Sequence, residues 1–210
     1  MIHCGILGRV NPWATFEAAA QLFAELVTRI AEGDWNRTGL GVWDLRALVG
    51  HTSRALITTA TYLDRPADVE DVATPEDYYM RMLDGDPADD DAVAARGEAA
   101  GQALGTDPAV AVQALVDDVL ARLADREDRL VTTPAGGMHM VAYLPTRTFE
   151  LAVHSLDIGA ATGLEVTLPA DVLAETASLA ARIGIARGRA QEVLAGLTGR
   201  RPLPSGFTVV

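Results

Sequence analysis

Residues 143–163 read YLPTRTFELAVHSLDIGAATG and have the pattern of one helix that ends at a glycine. Glu150 and His154 lie four positions apart in it, a spacing that places both side chains on one face of a helix. Carboxylates and imidazoles are both common ligands of metal ions. The segment therefore predicts a helix over 143–161 that carries two potential metal ligands on one face.

The charged residues of this helix form a strip that apolar residues border on both sides. The strip comprises Arg147, Glu150, His154 and Asp157. Its two borders consist of Phe149, Val153, Leu156 and Ala160 and of Leu151 and Ile158. We expect water to contact the opposite, small and mildly polar side, made up of Thr148, Ala152, Ser155 and Gly159. Because buried charges persist only when they are paired or bind a metal, the strip favours an interior metal site. The alternative is a hydrogen-bonded Glu–His pair on the helix surface.

His51 is the third candidate ligand. It lies roughly a hundred residues before Glu150, in a second helical segment, VWDLRALVGHTSRALI (42–57). It borders the apolar face of that helix, where a lone histidine is more often a hydrogen-bonded core residue than a metal ligand. Two imidazoles and one carboxylate fill three positions of a tetrahedral zinc shell and leave the fourth open, as in catalytic zinc sites.

Other catalytic motifs are absent from the sequence. There is no GxSxG nucleophile elbow, no P-loop and no GxGxxG motif followed by a suitable acid. The single cysteine, Cys4, has no partner histidine in a suitable setting, so an enzyme of this sequence would take a thiol from outside. His139, in a glycine-flanked loop, is a candidate pocket residue, whereas His3 lies close to the N-terminus.

Composition restricts the class of protein. With 210 residues, 49% of them apolar and 5% aromatic, the chain suits one helical domain or one domain with an appendage. A net charge of −12 argues against nucleic-acid binding. No apolar run approaches the roughly 20 residues that a membrane span needs, and the N-terminus has no signal-peptide pattern. A lone cysteine fits a reducing compartment, so we expect a cytoplasmic protein.

The acidic run DGDPADDDAV (84–93) does not match a calcium loop and predicts a solvated loop.

The periodicity of apolar residues predicts an all-α fold. Long amphipathic helices are expected over 12–32, 42–63, 108–129 and 143–161. We expect short helical pieces between 64 and 106, and a short β-hairpin or a loop at VTTPAGGMHMVAYL (131–144). A further helix over 169–197, with a break at Gly184 or Gly188, precedes a non-helical tail. Four long helices with a linker between the second and the third predict a four-helix bundle.

Two segments carry a resemblance to a known family. GVWDLRALVGHTSRAL (41–56) is similar to the tryptophan-and-histidine segment of the mycothiol-dependent maleylpyruvate isomerase family, a branch of the DinB-like four-helix bundles. Residues 143–163 resemble the second metal segment of that family, an arginine followed by ExxxH and an aspartate. The tail TGRRPLPSGFTVV (198–210) also resembles the end of many members. We therefore expect a DinB-like bundle over 8–165 and a helical extension packed on it over 166–210.

The resemblance implies a divalent metal ion, zinc above all, on His51, Glu150 and His154, with mycothiol as a possible co-substrate. It also implies that Asp157 orients a ligand imidazole and that Arg147 pairs either with Glu150 or with an anionic substrate. Longer members carry a small α/β domain after the bundle. This chain ends before such a domain, which predicts a short form and leaves the maleylpyruvate reaction itself open.

Three functions remain as hypotheses. The first is a thiol transferase or isomerase that acts on a small electrophile with a small-molecule thiol. The second is a metal-dependent hydrolase that uses a metal-bound water. The third is a non-catalytic metal-binding bundle. Apolar positions on the last helices make a homodimer conceivable.

Overall fold

Helices dominate the computed structural model, which describes residues 11–83 and 88–210. The helices are α1 (Pro12–Thr28), α2 (Leu45–Leu63), α3 (Pro75–Leu83), α4 (Ala88–Ala103), α5 (Pro108–Arg122), α6 (Met140–Thr162), α7 (Ala170–Ala186) and α8 (Ala190–Leu197). Two antiparallel strands, β1 (Leu130–Thr133) and β2 (Gly136–His139), form a hairpin. The predicted all-α class is confirmed, and the hairpin replaces the alternative of a loop. His3, Cys4 and the start of the acidic run 84–93 lie outside the described residues.

Four helices form the bundle, and they are the four long helices that the periodicity predicts. Going round the bundle, α1 packs against α6, α6 against α2, α2 against α5, and α5 again against α1. The centre is filled by fully buried apolar side chains, among them Phe16, Phe23, Leu48, Leu56, Val112, Val116, Leu144 and Leu151. The predicted four-helix bundle is therefore confirmed.

Side-chain caps decide where three of the bundle helices begin. The carboxylates of Asp44 and Asp107 and the side-chain oxygen of Asn11 each accept a hydrogen bond from a backbone N–H of the first turn. Asp44 therefore starts α2 three residues later than predicted. At its C-terminal end, α6 stops at Thr162 because the next residue, Gly163, has a φ of +77°, the left-handed conformation that glycine adopts readily.

Two predicted helix ends are wrong by several residues. The first helix ends at Thr28 rather than at residue 32, and α5 ends at Arg122 rather than at 129. After α5 the chain turns at Arg126, whose φ is +53°. Left-handed backbone interrupts a right-handed helix, and apolar periodicity carries no signal for it when the residue is not glycine.

The region before α5 holds a longer helix than predicted. Instead of a short piece, α4 has 16 residues and packs along α2. The two backbones meet at glycines: a Cβ added to Gly50 would lie 2.1 Å from the backbone nitrogen of Gly101. Near the start of α2, Trp43 donates a hydrogen bond from its indole nitrogen to the carbonyl of Ala94 (3.1 Å). A Cβ on Gly97 would lie 2.9 Å from the same indole ring. Small residues on α4 thus allow α2 and Trp43 to approach closely.

The small side of α6 does not face water, which corrects the sequence-based expectation. Its four residues are all buried, namely Thr148, Ala152, Ser155 and Gly159. By contrast Leu156 and Ala160, expected on an apolar border, are exposed. The sequence-based expectation assumed a helix with one side facing the solvent, but α6 packs against α1 and α7 as well as α2. A helix enclosed on several sides uses small side chains for close approach to its neighbours.

The C-terminal helices pack on the bundle. Val172, Leu179 and Ile183 of α7 belong to the same buried apolar cluster as the bundle core. The expected break in the last helix is at Gly188, where φ is +76°, whereas Gly184 lies inside α7. The division of the chain at residue 165 stays a prediction.

Several apolar side chains of the last helices are exposed, including Leu173, Ile185, Leu194 and Leu197. They are compatible with a homodimer, which stays a prediction. Among the described helices, none combines the length and the apolarity that crossing a lipid bilayer requires.

The glycine crossing of α2 and α4 gives a stability prediction. In Gly50→Ala the new methyl group meets the backbone of α4, so we expect the free energy of unfolding to fall by about 1–3 kcal/mol. Urea denaturation measures the change. Gly33→Ala is the control, because a Cβ there meets nothing within 4 Å. Equal stability of Gly50→Ala and the wild type would contradict the close crossing.

Candidate metal centre

Helices α2 and α6 bring the three predicted ligands together inside the bundle. His51 comes from α2, and Glu150 and His154 come from successive turns of α6. Each residue offers one donor atom, and the three atoms lie within 4.8 Å of one another. The rings of His51 and His154 meet edge to face, with centroids 4.9 Å apart. Two nitrogen donors and one oxygen donor at this separation could share one metal ion.

His51 has the properties of a neutral ligand. Its ring packs against Trp43 with centroids 4.4 Å apart and an interplanar angle of 30°. Burial, together with the positive charge of His154, lowers the pKa of His51 to about 4, so the imidazole is uncharged at neutral pH. Its Nδ1 atom is buried and has no hydrogen-bond partner among the described residues. A buried polar atom without a partner is costly, and an absent ligand is one explanation for it.

Glu150 is ionised despite its burial. Burial by itself would raise the pKa of this carboxyl group, but the hydrogen bond with His154, the charge of Arg147 and a hydrogen bond from Tyr79 lower it to about 2. The Tyr79 hydroxyl donates to Oε1 at 2.7 Å, and Oε2 lies 3.4 Å from Nε2 of His154. The carboxylate is thus available as an anionic ligand.

His154 lies between two carboxylates. Its Nδ1 atom is 3.0 Å from Oδ2 of Asp157, one turn further along α6, and its Nε2 atom faces Glu150. Burial opposes the charged form, but the hydrogen bonds to Asp157 and Glu150 raise the pKa of His154 to about 9. A carboxylate on the distal nitrogen of a histidine is the usual arrangement behind a metal ligand, because it fixes the orientation of the ring. Asp157 thus lies where the sequence places it, behind His154.

Arg147 lies next to the candidate ligands without an ion pair. Its guanidinium group stacks on the rings of Tyr143 (5.0 Å) and Tyr78 (5.4 Å), and its Nε atom donates to the hydroxyl of Thr146 (3.0 Å). Although burial opposes the charge, the surrounding tyrosines and Glu150 raise the pKa of Arg147 further above its ordinary value. Among the described residues, no carboxylate lies within 4.0 Å of it. The expected direct pair with Glu150 is therefore not formed.

The candidate centre opens into a cavity of about 720 Å³. His51, Glu150 and Arg147 lie on its wall, together with two arginines that sequence reasoning missed, Arg54 and Arg96. Other parts of the wall are apolar or aromatic and come from α2, α3, α4, the hairpin and the tail, including Tyr62, Tyr78, Met82, Leu83, Val93, Pro134 and Val210. Burial and the charges of Arg96 and Arg147 lower the pKa of Arg54. Since three arginines but a single carboxylate side chain among the described residues, that of Glu150, line it, the cavity is positively charged although the protein as a whole is acidic.

Some site residues had a signal in the sequence and others did not. Arg54 lies three positions after His51, a spacing that places both on one face of α2. Tyr79 and Arg96 belong to α3 and α4, and no local pattern links these helices to the ligands. His139 lies away from the cavity wall, with its Nδ1 atom 3.2 Å from the carboxylate of Asp128.

Comparison with known proteins gives one match. A family model described as the mycothiol maleylpyruvate isomerase N-terminal domain matches residues 16–159, more than half of the chain. The matched range contains all three candidate ligands and the arginines of the cavity wall. No curated protein and no solved structure shows a significant match.

The raised pKa of His154 predicts how the stability of the metal-free protein depends on pH. The folded protein holds the His154 proton up to a pKa of about 9, compared with 6.5 for an ordinary histidine. The contribution of this bound proton to the free energy of unfolding is fully present below pH 6.5 and is lost as the pH rises through 9. We expect the free energy of unfolding to fall by on the order of 2 kcal/mol between pH 6.5 and 9.5.

Urea denaturation in the presence of a chelator measures this dependence. His154→Gln removes the titrating group and should flatten the curve over the same pH range. A wild-type protein whose stability does not change between pH 6.5 and 9.5 would show that His154 is not held in its charged form.

Proposed function

The chain belongs to the family of the mycothiol maleylpyruvate isomerase N-terminal domain, and from this membership we propose a metal-dependent enzyme that transfers a small-molecule thiol to a small electrophile, or isomerises the electrophile with its help. Mycothiol is the thiol that the family name indicates. A thiol co-substrate must stay reduced, so we place the activity in the cytoplasm.

One observation carries the proposal: three donor atoms of His51, Glu150 and His154 converge within 4.8 Å at the wall of a cavity. The donor set fits a divalent ion, because it offers two imidazoles, one of them with a buried unpartnered nitrogen, and one ionised carboxylate. Such a set suits zinc best. The chemistry that the ion supplies when bound is deprotonation of a coordinating thiol, which becomes a strong nucleophile at neutral pH.

The residues of the chain have distinct tasks in this proposal. His51 is already neutral and Glu150 already anionic, so both donate without losing a proton. His154 has to release its proton before its Nε2 atom can act as a ligand. Asp157 keeps its hydrogen bond to Nδ1 throughout and so holds the ring in the orientation that directs Nε2 towards Glu150.

The charge of the cavity supports an anionic electrophile. Arg54, Arg96 and Arg147 line the cavity, and within the described part of the chain none of them forms an ion pair. Guanidinium groups bind carboxylates through paired, charge-assisted hydrogen bonds. A carboxylate-bearing substrate would therefore be held next to the candidate centre. The apolar and aromatic residues of the wall would exclude water from the rest of the cavity.

Metal analysis tests the ligand set. Purified wild-type protein should bind about one equivalent of Zn²⁺, and His51→Ala should lose most of it, because two remaining ligands bind zinc weakly. His139→Ala is the matched control, since His139 is a histidine that does not line the cavity. Unchanged zinc content in His51→Ala, measured by mass spectrometry of the metal, would rule out this ligand set.

Thiol consumption tests the reaction. Metal-loaded protein should accelerate the loss of free mycothiol in the presence of α,β-unsaturated carboxylic acids. In Arg54→Gln the KM for these acids should rise by about 10–100-fold, since a hydrogen bond between charged groups contributes about 1.5–3 kcal/mol. The methyl esters of the same acids should show little change, and Arg122→Gln, outside the cavity wall, should behave like the wild type. An isomerase would regenerate the thiol, so isomerisation of the acids is followed in the same assay. A stoichiometric metal with neither thiol consumption nor isomerisation would favour a metal-binding protein without this activity.

A further inference from the structure

We propose that Tyr79 is a positioning residue: it engages one oxygen of Glu150, so that the carboxylate presents a single oxygen to a metal ion. The inference rests on the proposed function, because it concerns the same ligand set. It assigns a role to a residue of α3, a helix that contributes no ligand of its own.

The two oxygens of Glu150 have different partners. Oε1 lies 2.7 Å from the Tyr79 hydroxyl, and Oε2 lies 3.4 Å from Nε2 of His154. The hydroxyl also lies 3.2 Å from the backbone carbonyl of Thr146. A phenol has one proton to donate, and the ionised carboxylate is both the closer and the stronger acceptor. Tyr79 therefore donates to Oε1 of Glu150, and Oε2 is the oxygen that lies next to His154.

Tyr79 is fixed as a donor. It is only 5% exposed, and its ring contacts those of Tyr78 and Phe149 edge to face, with centroids 5.8 and 5.5 Å apart. A tyrosine hydroxyl keeps its proton at neutral pH, so it can donate to a carboxylate that lies within hydrogen-bond distance. The position of the hydroxyl is therefore set by packing and does not adjust to Glu150.

The helix that carries Tyr79 is also anchored. Arg81, two residues further along α3, donates to the backbone carbonyls of Ala135 in the hairpin turn (2.8 Å) and of Asp71 (2.6 Å). These bonds tie α3 to the hairpin, while α3 also packs against α6 and α7. The hydroxyl thus reaches Glu150 from a rigid neighbouring element.

The consequence concerns the number of ligand atoms. Carboxylates bind divalent ions through one oxygen or through both. With Oε1 held by Tyr79, the chain supplies three donor atoms in total, which leaves a position of a tetrahedral shell for a thiol. Without the hydroxyl, Glu150 is free to turn and offer both oxygens, and the position for the thiol is lost or weakened.

Cobalt substitution tests the proposal. Four-coordinate Co²⁺ absorbs visible light several times more strongly than Co²⁺ with five or six ligands, so the spectrum reports the number of ligand atoms. We expect an intense spectrum from the Co²⁺-loaded wild type. Tyr79→Phe removes one oxygen atom and keeps the ring, and we expect it to bind one equivalent of Co²⁺ with a several-fold weaker spectrum. Tyr62→Phe is the control with the wild-type spectrum, because Tyr62 lines the same cavity without a described hydrogen bond to Glu150.

The outcomes separate the two proposals. An unchanged spectrum in a Tyr79→Phe protein that binds cobalt would overturn the role of Tyr79 and leave the metal site intact. A wild type that binds no cobalt would overturn both. If Tyr79→Phe does not fold, the cobalt spectrum of Tyr79→Met tests the same prediction, because methionine has a side chain of similar length and no hydroxyl. Circular dichroism of the metal-free variants checks that each variant is folded. A weaker cobalt spectrum then reports a change in the ligand set rather than unfolding.

Discussion

Charged side chains inside a helical bundle are costly, and much of this structure compensates for two of them. Moving a carboxylate or an imidazolium out of water costs several kcal/mol unless close partners replace the lost hydration. Glu150 and His154 have such partners on each side: Tyr79 donates to one, Asp157 accepts from the other, and Arg147 adds a positive charge nearby. These partners come from α3 and α6, and α3 in turn is held by the hairpin. The charged residues of the site therefore depend on α3 and the hairpin, two elements outside the four-helix bundle.

The third candidate ligand depends on a different contact. His51 owes its position to Trp43, which lies between its ring and α4. That arrangement needs α4 to come close to α2, which the glycines at their crossing permit. One candidate ligand is thus positioned by packing and the other two by hydrogen bonds. A substitution on α4 that disturbs this packing would displace His51 and leave Glu150 and His154 in place.

Sequence reasoning reached the long helices and the grouping of Glu150 with His154 because both follow local rules. Apolar periodicity identifies helices of this length, and the four-residue spacing of Glu150 and His154 places them together whatever surrounds the helix. The orientation of α6 was beyond such rules, since its buried small side depends on neighbours that are distant in sequence. Tyr79 and Arg96 were missed for the same reason. The end of α5 at Arg122 was misjudged because no glycine or proline follows it before Pro134 to mark the stop.

An anion that approaches this protein meets two opposing fields. The net charge of −12 repels it from a distance, whereas the arginines of the cavity attract it once it is close. At physiological ionic strength the Debye length is about 8 Å, so dissolved ions weaken the outer repulsion strongly. They reach the partly enclosed arginines much less, and the inner attraction persists. Salt should therefore speed the capture of an anionic ligand, the reverse of its usual effect on association between opposite charges.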